Sequence, residues 1–175
     1  MIVKAKNKIN IFIVDDNKVF SMALKADIED AFADLVIEIF TFETGEKCKR
    51  RFMQVMPELV ILDYYLNSAD FGAADGIKVL DWIKQENEET NVIMLTSDDH
   101  IDIALKSLKH GASDYIVKTE TQFRKINYSL LNFFKMMEAK VEARRYKRIL
   151  AALFICVALL IIGVTAIQIF MPSQL

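Results

Sequence analysis

INIFIVDD, residues Ile9–Asp16, sets a run of β-branched and aromatic residues directly in front of two carboxylates. Such residues suit a pleated, buried strand, so Ile9–Val14 reads as a first strand with Asp15 and Asp16 just past its carboxyl end. The pattern recurs in Val36–Phe42, Leu59–Leu62, Val92–Leu95 and Tyr115–Val117. Several of these runs are apolar throughout, as parallel strands covered on both faces are. Between them, Val19–Leu35, Gly45–Met56, Ile77–Glu86 and Ile101–His110 carry apolar residues at three- and four-residue spacing. Five βα units in succession predict an α/β fold: a doubly wound five-stranded parallel sheet with right-handed crossovers.

The punctuation fits. His110-Gly111 is a helix stop, and Asp98 and Asp99 bring negative charge ahead of the fourth helix. A last helix starts near Thr121 and puts Phe123, Ile126, Leu130, Phe133 and Met137 on one stripe. Part of that stripe must cover the sheet, while Phe134 and Met137 are expected at a dimer surface. Trp82, with Ile77, Leu80 and Ile83, reads as helix-face packing. Asn67–Ala74 is a small polar loop after the third strand.

The chain has 175 residues, 53% hydrophobic, with a net charge of −2. That average conceals Ile149–Met171, 23 consecutive uncharged residues. As a helix they extend about 34 Å against a hydrocarbon core of ~30 Å, enough to span a bilayer. No Gly or Pro separates Gln122 from Leu160, so one helix is expected to continue into this run. The 148 residues before it can bury a core without staples. Cys48 and Cys156 imply no disulfide framework and fit a reducing compartment.

Charge is segregated as well. Residues 1–123 carry 14 Lys/Arg against 22 Asp/Glu, and residues 124–148 carry 8 against 2. The acidic part speaks against nonspecific nucleic-acid binding, and no helix-turn-helix fits between the last domain helix and the apolar run. The N-terminus lacks the features of a secretory signal. Lys140, Arg144, Arg145, Lys147 and Arg148 precede the apolar run and only PSQL follows it. The positive-inside bias therefore predicts a single-pass, C-terminally anchored protein with its large domain on the cytoplasmic face, its basic flank also attracting anionic lipid. The expected organisation is 1–137, a folded domain; 138–148, a basic juxtamembrane helix; 149–171, a transmembrane helix; and 172–175, a short tail.

Ligands in open α/β sheets gather at the carboxyl ends of the strands. There the sequence sets Asp15-Asp16, Asp63, Thr96 and Lys118. Singly, each has a plain structural role as cap, turn or surface charge. Jointly, three carboxylates, a hydroxyl and an ammonium suit Mg²⁺, which relieves carboxylate repulsion and takes oxygen ligands together with phosphate. In that setting Asp63 is a candidate carboxylate nucleophile toward a phosphoryl group, with Thr96 and Lys118 stabilising the transferring oxygens. No Ser/His/Asp or Cys/His set suggests a free-standing hydrolase.

IFIVDD, LVILDYYL, Asp75-Gly76, IMLTS and DYIVK occur in this order, and with them the sequence resembles the receiver domain of two-component response regulators from about Lys8 to Met137. The resemblance implies a flavodoxin-like receiver fold with Asp63 as phospho-acceptor. Asp16 and Asp63 would be direct Mg²⁺ ligands, Asp15 would act mainly through water, and the Tyr65 backbone carbonyl would complete the protein's ligands. It further implies Thr96 and Lys118 on the phosphoryl oxygens, and Tyr115 as a switch aromatic responding to Thr96. Two features depart from the family pattern. Asp75 stands 12 residues after Asp63, an insertion, and Thr119 stands where the family has a cis proline. The Lys118–Thr119 bond is thus either trans or strained, since a non-proline cis bond costs ~2.5–4 kcal/mol. Tyr65 and Asp98, two residues past Asp63 and Thr96, are placed to shield or orient hydrolytic water.

The function expected is a membrane-anchored response regulator, not an enzyme beyond its own phosphorylation and dephosphorylation. It would be phosphorylated by a histidine kinase or phosphotransfer protein and signal through its fourth helix, fifth strand and last helix to a partner or a homodimer. A phosphate sink or relay and a phosphorylation-independent membrane scaffold are the alternatives.

Overall fold

The computed structural model describes residues 8–66, 76–97 and 100–170. Five strands, β1 (Ile9–Val14), β2 (Ile37–Phe42), β3 (Leu59–Asp63), β4 (Asn91–Thr96) and β5 (Asp114–Val117), alternate with α1 (Lys18–Ala31), α2 (Gly45–Val55), α3 (Gly76–Glu86), α4 (Ile101–Lys109) and α5 (Gln122–Phe170). All pairings are parallel, in the order β2-β1-β3-β4-β5. The order reverses between β1 and β3, so their carboxyl ends open a crevice there.

Side chains alternate faces along a strand. Phe12, Val14, Val60, Leu62, Val92 and Met94 share one face and pack with Phe52 of α2 and Ile77, Leu80 and Ile83 of α3. Ile11, Ile13, Leu59, Ile61, Ile93 and Leu95 are left for the other face and are as deeply buried. The buried residues Leu24 and Ile28 of α1 and Ile126 and Leu130 of α5 belong to that side. Two ring pairs join these helices, Phe20–Phe123 with centroids 5.7 Å apart and Phe32–Phe134 at 5.0 Å.

Phe134 is therefore core, 1% exposed, and not the dimer-surface residue its place beside the stripe predicted. Its ring fills the space over Phe32, which widens the buried face of α5 beyond a single row. Met137 is half-buried. The first helix is also shorter than its apolar spacing predicted. α1 stops at Ala31, and Leu35 closes a turn onto Phe32 by an N–H to carbonyl bond of 2.9 Å, so the apolar residues at 32 and 35 pack without being helical. The stop at His110-Gly111 forms as expected, Gly111 adopting a positive φ of 95°.

The chain divides into two units, 1–134 and 135–175. In the second, the helical residues up to Phe170 include the basic flank and the apolar run, and residues 149–162 are exposed throughout. Among the described residues this is the one helix long and apolar enough to cross a membrane. Met171 and the tail lie outside the described residues.

Candidate functional site

β1 and β3 deliver their terminal carboxylates to the same edge of the sheet. Asp15 is 1% and Asp63 4% exposed, and Asp16 is half-buried. Asp15, Asp16 and Asp63 each offer a carboxylate oxygen, all within 4.8 Å of one another. Asn17, rather than Asp16, caps α1: its Oδ1 accepts from the Phe20 N–H at 3.0 Å. The Asp16 carboxylate is thereby left available to the cluster.

Lys118, just past β5, spans the two buried carboxylates. Its Nζ lies 2.7 Å from Asp15 Oδ2 and 2.8 Å from Asp63 Oδ2. Its backbone N–H donates to the Thr96 carbonyl at 2.6 Å, which carries the β4–β5 ladder one residue further and aims the side chain back toward β1 and β3. Among the described residues no peptide bond is cis, so Lys118–Thr119 is trans and the lysine reaches the site without the strained alternative. Thr96, fully buried, ends β4 opposite Val117.

Asp15 is saturated. Its Oδ1 accepts from the Asn17 N–H at 2.9 Å, its Oδ2 faces Lys118, and its carbonyl accepts from the Ser21 hydroxyl at 3.4 Å. Asp63 differs: its Oδ1 is buried and has no hydrogen-bond partner among the described residues. An orphaned carboxylate oxygen beside two further carboxylates is what a hard, oxygen-seeking divalent cation would satisfy, so the donor set fits Mg²⁺.

Burial pushes the Asp63 carboxyl up to about 6; the Lys118 hydrogen bond and charge and the Tyr65 backbone N–H pull against that, and the Asp15 charge adds to it. For Lys118, burial works toward a lower value, but the hydrogen bonds and charges of Asp15 and Asp63 together outweigh it and hold the ammonium above the ordinary lysine value. The site thus keeps a firmly charged cation against a carboxylate whose ionised form is uncomfortable.

Tyr115 on β5 is partly buried against the cluster formed with α2 and α3. Tyr65 is 45% exposed and stands edge-on to Tyr64, with ring centroids 4.8 Å apart. Arg144, Arg145, Lys147 and Arg148 belong to the second unit and are exposed. Asp75, Asp98, Asp99 and the loop 67–74 lie outside the described residues.

Two neighbours of the cluster carried no sequence signal of their role. A Cβ on Gly76 would come within 2.4 Å of the Asp63 carbonyl oxygen and 2.7 Å of Tyr64 Cα. The Phe20 ring lies under the Lys118 ammonium, 4.9 Å from its centroid. Nothing in the sequence pairs residues 20 and 118, or residue 76 with the backbone at 63 and 64.

The family model of the response regulator receiver domain matches residues 11–127. The chain is 30% identical over 112 residues to the nitrogen assimilation regulatory protein NtrX of Azorhizobium caulinodans, covering 62% of this chain and 22% of that protein. It is 26% identical to the chemotaxis protein CheY of Listeria monocytogenes, covering 63% of this chain and 86% of that one. A CheY-like receiver domain structure from Methanospirillum hungatei shares the fold, with a TM-score of 0.66 at 19% identity over 77% of this chain and 99% of the other. The chain spans less than half the length of the first curated relatives it matches.

Proposed function

The chain belongs to the response regulator receiver domain family, and from that premise we propose that it is a membrane-anchored regulator phosphorylated on Asp63 by a histidine kinase or phosphotransfer protein. The observation that carries this reading is Lys118 bridging Asp15 and Asp63 while Asp63 Oδ1 is buried with no hydrogen-bond partner among the described residues. Such receiver domains are signalling modules whose chemistry is their own phosphorylation, at an acidic pocket that generally takes Mg²⁺.

Asp16, Asp63 and the Tyr65 carbonyl would hold Mg²⁺ directly. Asp15, whose two oxygens are already engaged by Lys118 and Asn17, would do so mainly through water. Bound there, Mg²⁺ supplies charge neutralisation between carboxylates and phosphoryl oxygens. An Asp63 oxygen forms the bond to phosphorus as the bond from phosphorus to the donor's imidazole nitrogen breaks, and the departing nitrogen keeps that electron pair. Lys118 fixes the carboxylate before transfer and meets the added phosphoryl charge after it, and the Thr96 hydroxyl donates to a phosphoryl oxygen. Movement of Thr96 toward phosphate would be followed by Tyr115, changing the face made by α4, β5 and the start of α5. That face presents Ile101, Leu105, Leu108 and Tyr128 to solvent, as a docking or dimer surface would.

We assign residues 1–137 to the receiver, 138–148 to a basic collar and 149–171 to a membrane span. The exposed, uncharged helix and the cations before it support an anchor with the receiver on the cytoplasmic face. Tyr146, 67% exposed among the cations, suits the headgroup region. Fractionation is expected to find the chain with membranes, and a variant ending at Arg148 in the soluble fraction. Wild-type protein recovered as soluble would remove the anchor from the reading.

Radiolabelled acetyl phosphate with Mg²⁺ tests the acceptor, with Asp63→Asn as control. In the same assay Tyr65→Asn is expected to lose label faster than wild type, because a smaller side chain at the half-open edge of the site admits hydrolytic water. Equal half-lives would assign Tyr65 no shielding role.

A further inference from the structure

We propose that Phe20 is a positioning residue for phosphoryl transfer, its ring face seating the Lys118 ammonium independently of the carboxylate that reacts. The inference rests on Asp63 being the acceptor.

Among the described residues the Lys118 ammonium meets Asp15 Oδ2 at 2.7 Å, Asp63 Oδ2 at 2.8 Å, and the Phe20 ring at 4.9 Å from its centroid. They behave differently during the reaction. Once Asp63 carries a phosphoryl group, its carboxylate charge is gone and the ammonium has to follow the charge onto the phosphoryl oxygens. Asp15 sits in the cation cluster and so shares its charge with whatever cation enters. The ring face alone is indifferent to both events. Its attraction for a cation comes from the quadrupole of the ring and strengthens where water is excluded; the Lys118 side chain is only 18% exposed. A lysine side chain is long and rich in rotamers, so holding it in one geometry costs entropy. A seat that persists through the exchange keeps that freedom from being regained midway.

Phe20 is itself fixed from two sides. Its backbone N–H donates to Asn17 Oδ1 at the start of α1, and its ring packs on Phe123 at the start of α5, with centroids 5.7 Å apart. One residue thus ties the helix after Asp15-Asp16 to the segment after Lys118. Val19 beside it is 79% exposed and Lys18 is exposed, so among these neighbours the aromatic ring is the feature turned toward the lysine.

The test is the rate of labelling by acetyl phosphate and Mg²⁺, on the full chain in detergent. Phe20→Leu should lower the rate about three- to tenfold, and Phe20→Trp should restore it. In a Lys118→Ala background, which is slow to begin with, adding Phe20→Leu should change the rate by less than about twofold, since the seat then has no occupant. Stepwise fluorination of the Phe20 ring, which preserves shape while emptying the π face, should lower the rate stepwise. It also serves if Phe20→Leu does not fold. A Phe20→Leu rate equal to wild type, an equal loss in the Lys118→Ala background, or a rate untouched by fluorination would each overturn the proposal. Label that persists in Asp63→Asn would instead remove the acceptor assignment beneath it, an outcome these comparisons keep separate.

Discussion

Replacing Asp63 with Asn is expected to abolish labelling by acetyl phosphate and, in metal-free buffer at pH 8, to make the protein more stable. The first effect follows from chemistry, because an amide oxygen is a poor nucleophile toward phosphorus and no second carboxylate takes its place. Asp15 has both oxygens engaged, and Asp16 is not bridged by Lys118. The second follows from linkage. Burial pushes the Asp63 carboxyl from the ordinary 3.8 up to about 6 in the folded chain. A carboxyl with a raised folded value binds more protons folded than unfolded between those limits, so the stability it contributes is complete below pH 3.8 and is lost as pH rises through 6. At pH 8 the ionised carboxylate costs about 1–3 kcal/mol, the pull of the Lys118 contact already included. Asn carries no such cost. Denaturation midpoints of the two proteins should therefore diverge at pH 8 and converge near pH 4. Mg²⁺ should raise the wild-type midpoint and leave the variant nearly unmoved, because a ligand of the folded state stabilises by mass action. A variant that still takes label, or that is less stable than wild type at pH 8 without metal, would contradict the role given to Asp63.

What the sequence made legible here, and what it did not, divides by length scale. Strand ends could be placed within one or two residues because β-rich apolar runs stop abruptly at Asp15, Asp63, Thr96 and Lys118, and a parallel sheet carries all strand ends of one sense to one edge. That Asp15, Asp63 and Lys118 meet follows from the same rule, and in the structure they do. Helix ends were harder. Phe32 and Leu35 extend the apolar period of α1 while packing from a turn, so periodicity alone overran the helix. Phe134 was misplaced because an apolar stripe on a helix is wider than one row, and whether the second row is buried depends on what stands opposite, here Phe32. The parts of the site that residue type does not mark are contacts between elements distant in sequence. Nothing local marks Phe20 as lying beneath Lys118, and nothing local says that α3 starts in contact with the backbone leaving β3. Such contacts are fixed by packing at the scale of an ångström, which residue type and period do not encode.

The contact at the start of α3 gives the other large effect. Gly76→Ala should destabilise the protein by about 2–4 kcal/mol and slow labelling more than about tenfold. Helix propensity alone predicts the opposite sign, since Ala outranks Gly by about 1 kcal/mol in a helix interior. Nor is backbone freedom at stake, because among the described glycines only Gly111 has a positive φ. The reason is space. An added Cβ would meet the Asp63 carbonyl oxygen at 2.4 Å, Tyr64 Cα at 2.7 Å and the Tyr64 carbonyl oxygen at 2.9 Å, all backbone atoms that cannot swing aside. The same approach is used productively, since the Gly76 N–H donates to the Tyr64 carbonyl at 3.1 Å. Relief must come from one of two movements. If α3 retreats, Ile77, Val79, Leu80 and Ile83 leave the core they fill. If the Asp63–Tyr64 peptide retreats, the acceptor loses register with Lys118, and a misplacement of about 1 Å is enough to cost some hundredfold in rate. Thermal unfolding reads the first cost and labelling reads the second, so their ratio tells which element yields. A Gly76→Ala protein more stable than wild type and labelled at the same rate would show that helix propensity wins and that α3 does not start against the acceptor's backbone.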